Sequence, residues 1–229
     1  MSRLEGFSDA AFAFALTLLV VSLEVPRTFD QLMDSMRGFG AFAICFLFLI
    51  GIWYRHYLFF RRYGLQDLRT IILNSLLLFV VLFYIYPLKF LFTLVVDGWF
   101  GIDTSFHLPN GAIVPAIQNA QQPVLMVIYG AGFVAVESLF ALLYRHAWVE
   151  REALALNELE GLETRESVEG HFLNVAMGCV SIMLATVAGG KFLPISWYPY
   201  PAIGLVRWIH GWWRGRMKGR IVRSQKETE

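Results

Sequence analysis

Charge is scarce in this chain. Asp, Glu, Lys and Arg make up only 16% of its 229 residues, where a soluble domain of this size carries about 25%. That shortage excludes an ordinary solvated globule. It comes with 57% hydrophobic and 16% aromatic residues, the composition of an integral membrane protein. The formal net charge is +1, so the overall balance suggests no nucleic-acid partner. Cysteine is nearly absent: Cys45 and Cys179 stand far apart in apolar runs, without a partner motif. Both read as buried thiols, and no redox compartment follows. Enzyme signatures are missing too. There is no H-E-x-x-H, no G-x-S-x-G and no phosphate loop. The five histidines are scattered, whereas a chelating site needs clustered ligands. His56 and His146 each follow an arginine near a helix end, the pattern of interfacial anchors. No enzyme activity, resident metal or cofactor is expected. Nor is a cleavable leader, because the steps Ala11-Phe12-Ala13 and Ala13-Phe14-Ala15 lie inside the first apolar run rather than after it.

What the chain does have is long apolar runs. Six are predicted to be membrane helices, over about 4–25, 38–60, 70–96, 124–148, 171–193 and 195–213. Each approaches or exceeds the roughly 20 residues that a crossing helix needs. Pro87 predicts a bend in the third. The sixth is interrupted by Pro199, Pro201, Gly204, Arg207 and His210 and reads as partly interfacial. Between the runs, Asp30, Asp34 and Arg37 mark a short polar loop, and residues 97–121 a longer one. The Glu-rich stretch 150–169 reads as a helical extension, with Ala153, Leu156 and Leu159 at helix spacing. The expected fold is all-α, a single six-helix domain over 1–229 with a basic tail at about 214–229. Arg61, Arg62 and Arg69 after the second run, and Arg214, Arg216, Lys218, Arg220 and Arg223 in the tail, put both termini in the cytoplasm.

The first run carries acids, Asp9 near its start and Glu24 near its end. A carboxylate at mid-membrane costs about 2.5–3.5 kcal/mol on insertion scales and faces protein or water. Glu24 reads as an interfacial acid, Asp9 as part of a polar network, and Glu137 in the fourth run as a hydrogen-bonded intramembrane carboxyl. At roughly 100° per residue, Ala10, Phe14, Thr17 and Val21 share one narrow stripe of the first helix. Asp9, Leu16 and Leu23 fall well away from it. Ordinary helix packing also produces such a stripe, with Ala10 and Ala13 allowing close approach.

Arg3-x-x-x-Phe7-Ser8-Asp9, followed by Ala10 and Thr17-Leu18-Leu19, resembles the signature of the transmembrane protein 175 family. Trp53-x-x-His56-x-x-Phe59 after Gly51, and Asn74 early in the third run, extend the resemblance. The family comprises endosomal and lysosomal potassium channels and their prokaryotic homologues. The resemblance implies a homotetramer in the bilayer of a prokaryotic inner membrane, with the first helix of each copy lining a central pore. It implies a channel without a carbonyl filter, and this chain has no T-V-G-Y-G. Selectivity and gating would fall to rings of Phe14, Thr17 and Val21, with Ala10 on the same stripe and potassium passing near Thr17. Arg3, Phe7, Ser8 and Asp9 would tie the pore helix to its neighbours, through Trp53, His56 and Asn74. One departure is that the family usually places Ile or Leu at the narrowest ring, where this chain has Phe14. The expected function is a passive, potassium-preferring cation channel. The alternative is a secondary transporter using Asp9, Glu137 and Glu24 as coupling acids. Such folds usually show paired broken helices in two repeats, which are not visible here. An intramembrane enzyme is a third reading, disfavoured by the missing catalytic constellation.

Overall fold

A computed structural model of the chain describes residues 2–21, 27–101, 105–107 and 111–187. Glu24, the predicted sixth span and the basic tail lie outside the described residues. The chain divides into two compact units, 1–122 and 123–229.

The first unit holds α1 (Arg3–Val21), α2 (Phe29–Arg37), α3 (Phe39–Tyr63) and α4 (Leu68–Phe100), then a hairpin of β1 (Ser105–His107) and β2 (Ile113–Pro115). α5 (Gln122–Val149) and α6 (Glu158–Val187) follow. α3, α4, α5 and α6 are each long and apolar enough to cross a membrane, and the protein is an all-α integral membrane protein. α1 has 19 residues and rises about 28 Å at 1.5 Å per residue, close to the thickness of a hydrocarbon core.

Helix starts are written locally. At α1, Glu5 N–H donates to Ser2 Oγ at 3.1 Å, and Ser2 N–H donates back to the Glu5 carboxylate. This reciprocal capping box satisfies two amides that the first turn leaves open. Asp67 caps α4, accepting from the amides of Arg69 and Thr70. Asn157 and Glu160 repeat the box at α6, with both bonds at 2.9 Å. At their far ends α3 and α4 stop on Gly64 and Gly101, both left-handed at φ 58° and 64°, a conformation that costs glycine no Cβ clash.

Several expectations are corrected. The polar loop at Asp30, Asp34 and Arg37 is a helix, α2, because Thr28 caps it and its apolar residues recur at helical spacing. The stretch 97–121 is not plain loop. α4 runs on to Phe100, and β1 pairs antiparallel with β2, Phe106 opposite Val114. The stretch 150–169 is helical only from Glu158. Residues 150–155 form turns in which Ala155 takes φ 49°, and Asn157 then restarts the helix. Cys45 is buried but Cys179 is exposed, since Gly178 and Ser181 occupy the buried side of α6 around it. His146, like His56, is buried rather than interfacial. Pro87 lies inside α4 as expected, where its missing N–H interrupts the helical hydrogen-bond ladder.

α5 and α6 meet closely at Gly178. A Cβ there would lie 2.6 Å from Val134 Cγ2 and 3.0 Å from Phe133 Cδ1, and a β-branched side chain has little room to retreat. Gly178→Ala is expected to cost about 1–3 kcal/mol through overpacking, read as a lower melting temperature of the detergent-solubilised protein. An unchanged melt would show that the two helices separate freely at this level.

Candidate functional site

α1 has two faces of different chemistry. Ser8, Phe12, Ala15 and Leu19 recur at i, i+4, i+7 and i+11, and all four are at most 3% exposed. This is the spacing of one helix stripe, and it packs against α3 and α4. Ala10, Phe14 and Thr17 lie on the opposite side and are exposed, Phe14 by 56%. Ala13, Val20, Arg3 and Phe7 are exposed as well. Val21 is the last residue of the helix. Burial within the first unit therefore does not account for the stripe that carries Phe14 and Thr17.

The buried face ends in a polar set at the N-terminal half of α1. Ser8 Oγ donates to the Leu4 carbonyl at 2.8 Å. Its hydrogen is thereby used, so it accepts from Asn74 Nδ2 at 2.9 Å. That orientation of the amide leaves Asn74 Oδ1 as the acceptor for His56 Nε2 at 2.7 Å. The chain of donors fixes the His56 tautomer with its proton on Nε2. Ser8 and Asn74 are fully buried and His56 nearly so. The His56 ring also meets Phe12 edge-on, at 5.5 Å between centroids, and Phe60 at 4.5 Å. One helical step away, Trp53 Nε1 donates to Asp9 Oδ1 at 2.8 Å. The structure thus brings together Ser8, Asp9, Trp53, His56 and Asn74, joining α1 to α3 and α4. Arg3 and Phe7 point to the exposed side instead. They share the side of the unburied stripe, so the helix geometry keeps them out of this set.

The cleft between α1 and α3 opens on either side of the Asp9–Trp53 bond. One cavity of about 560 Å³ is lined by Glu5, Asp9, His56, Tyr57, Phe60 and Arg61. The other, about 340 Å³, is almost wholly apolar, with Phe12, Leu16, Leu49 and Ile50 around the same two residues.

On the unburied stripe, Thr17 Oγ1 donates to the Ala13 carbonyl at 3.0 Å. A hydroxyl has one hydrogen and two lone pairs. With the hydrogen held by its own helix, Thr17 offers outward only an acceptor oxygen. That suits a cation and not an anion.

The second unit has a polar centre of its own. Glu137 on α5 is 1% exposed. Its Oε2 lies 2.7 Å from His171 Nδ1 and accepts from Asn174 Nδ2 at 2.9 Å. Phe140 and Tyr144 both stack with the His171 ring, at 5.4 and 5.3 Å between centroids. Glu137 is a hydrogen-bonded intramembrane carboxyl, enclosed by protein. Run length and helical period do not name its partners. The signal was there, since His171 and Asn174 stand at i and i+3 inside an otherwise apolar helix stretch and need a polar partner.

Comparison with known proteins gives the family. A family model described as "Endosomal/lysosomal potassium channel TMEM175" matches residues 3–84, the segment that contains the whole polar set. A protein of Marivirga tractuosa named as a potassium channel is 42% identical over 189 residues, covering 81% of this chain and 75% of its own. A potassium channel of Chamaesiphon minutus is 26% identical over 161 residues, 67% of this chain and 68% of its own. Among solved structures, a variant of the potassium channel MtTMEM175, crystallised with a nanobody–MBP fusion, superposes with a TM-score of 0.81. It is 36% identical, and the match covers 94% of each chain. With a polar set built from the matched segment and a relative this similar over most of both lengths, the chain belongs to the TMEM175 family of endosomal/lysosomal potassium channels.

Proposed function

We propose that the chain is a potassium-preferring cation channel in which four copies surround a pore lined by α1. The observation that carries this reading is the exposed stripe of α1. A membrane helix that keeps one face against its own subunit and leaves Ala10, Phe14 and Thr17 uncovered needs something else to face. A single helix cannot enclose a conduit, but the same helix from several copies can. The relatives reported above are named as potassium channels. In such a pore, Phe14 forms an apolar ring and Thr17 a ring of acceptor oxygens able to replace water around a cation. A narrow apolar ring resists wetting, so it serves as the gate. Val21 continues the stripe, and Ser8, Asp9, Trp53, His56 and Asn74 hold the helix in place. The channel needs no cofactor and performs no catalysis.

α1 and α3 run antiparallel, because Asp9 meets Trp53 while Leu16 lies beside Leu49. The start of α1 is therefore at the same end as Arg61, Arg62 and Arg69. That end faces the cytoplasm by the distribution of basic residues, in a prokaryotic inner membrane. The transporter reading gains nothing from Glu137, whose carboxylate is held by two partners in a closed site.

In a planar bilayer with a potassium gradient and no other energy source, current should reverse near the potassium equilibrium potential. A reversal potential that follows an imposed proton gradient would replace the channel with a coupled transporter.

A further inference from the structure

α2 has no part in the conduction reading, and its chemistry is distinct. It is nine residues long, about 13 Å at 1.5 Å per residue, far too short for a core of about 30 Å. It ends at Arg37, and α3 starts two residues on at Phe39. α3 is long and apolar enough to span a membrane. α2 therefore sits where the chain enters the bilayer, at the end of α3 remote from Arg61 and Arg62.

Local sequence alone makes this helix. Gln31 N–H donates to Thr28 Oγ1 at 3.2 Å, and Gln31 Oε1 accepts from Arg27 N–H at 2.8 Å. At roughly 100° per residue, Phe29, Leu32, Met33 and Met36 fall within an arc about 100° wide. Asp30, Gln31 and Ser35 lie on the remaining arc. All four apolar side chains are exposed, Phe29 by 72% and Met36 by 58%. The first unit does not cover this face. The next side chain of the same kind is Phe39, which opens α3 and is 61% exposed, so the uncovered apolar surface runs from α2 into a membrane-spanning helix.

We propose that lipid covers it: α2 is an interfacial anchor lying in the headgroup–acyl boundary on the side of the membrane opposite the Arg61–Arg62 end. A short helix with one apolar face and a low overall hydrophobicity is built to lie in that plane rather than to cross it. Arg27, Asp30, Asp34 and Arg37 give two charges of each sign in and beside the helix. Anionic headgroups are accordingly not required, and zwitterionic lipid is enough. The anchor sets the depth at which the chain between α1 and α3 meets the membrane surface.

The test uses the full chain in phosphatidylcholine vesicles. Cys179→Ala leaves only the buried Cys45, and this protein supplies the labelling background. Phe29→Cys, Leu32→Cys, Met33→Cys, Met36→Cys and Asp30→Cys are then made one at a time and spin-labelled. Collision rates are measured with oxygen, which partitions into lipid, and with a water-soluble nickel complex. Labels at 29, 32, 33 and 36 should favour oxygen severalfold over nickel, and the label at 30 the reverse. If the four labels are reached by neither quencher, protein covers the face, as a second copy would, and the proposal is overturned. If nickel reaches all five equally, the helix stands in water and the proposal is overturned as well. All five positions are exposed, so none of these substitutions disturbs the core.

Discussion

Replacing Asn74 with alanine is expected to remove most of the assembled protein from the membrane. Asn74 bonds both neighbours, donating to Ser8 on α1 and accepting from His56 on α3. Alanine leaves the His56 Nε2 proton buried without an acceptor and the Ser8 oxygen without its donor. Each unsatisfied buried group costs about 1–3 kcal/mol. The sum, about 2–6 kcal/mol before any cavity is counted, is a large fraction of the roughly 5–15 kcal/mol that holds a typical domain together. Asn74→Asp is expected to be little better. It keeps an acceptor for His56 but loses the donor to Ser8 and buries a charge. Ser75→Ala, one residue along and exposed, is the control and should change nothing. The readout is the size-exclusion profile and melting temperature in mild detergent. An Asn74→Ala protein with the parent profile and melt would show that α1 is held by its apolar face alone.

Phe14→Ala should act on conduction and leave assembly intact. The ring is 56% exposed within its own subunit, so truncation removes little packing there. Folding should therefore be nearly unchanged, as for most surface substitutions. In the proposed pore the same change removes four phenyl groups from the narrowest layer. The apolar barrier to wetting falls, so unitary conductance should rise severalfold and potassium-over-sodium preference should fall. Thr17→Ala separates the layers. It deletes the acceptor oxygen that stands in for hydration water, so preference should drop with less change in conductance. Phe14→Cys should react with a water-soluble thiol reagent while the channel is open. An inert thiol at 14, together with unaltered currents in Phe14→Ala, would make this stripe a packing face and move the pore elsewhere.

The legible and the illegible parts of this fold differ in range. The stripe of Ala10, Phe14, Thr17 and Val21 follows from one helical period, and so does the separation of Asp9 from it. The spanning character of α3, α4, α5 and α6 follows from run length. The partners of Ser8 do not follow from either. Asn74 is 66 residues away, and only the resemblance to a family implies that the two meet. The same holds for Glu137 and its partners on α6, 34 and 37 residues distant. α2 was missed for another reason. Its composition is polar on average, and its apolar residues are too few to raise a hydropathy window. Thr28-x-x-Gln31 and the 29, 32, 33, 36 spacing were both present, and together they specify a short capped helix. The break at Ala155 was hidden because a left-handed alanine has no sequence signature, although Asn157-x-x-Glu160 marks the restart.

The division of α1 into a face turned toward its own subunit and a face turned away has a genetic consequence. Alleles at Ser8, Phe12, Ala15 and Leu19 should be failures of quantity: little protein reaches the membrane, and what arrives behaves normally. Alleles at Ala10, Phe14 and Thr17 should be failures of quality, with normal abundance and altered currents, some of them leakier than the parent. In the proposed pore of several copies, a mixed population of subunits makes the two kinds part company. A poorly folded copy is discarded before it meets its neighbours and is recessive. A well-folded copy with a changed residue at 14 enters every assembly it can reach, so a minority of such subunits dominates the phenotype. A saturation scan of nineteen consecutive codons should therefore show dominance rising and falling with the turn of the helix.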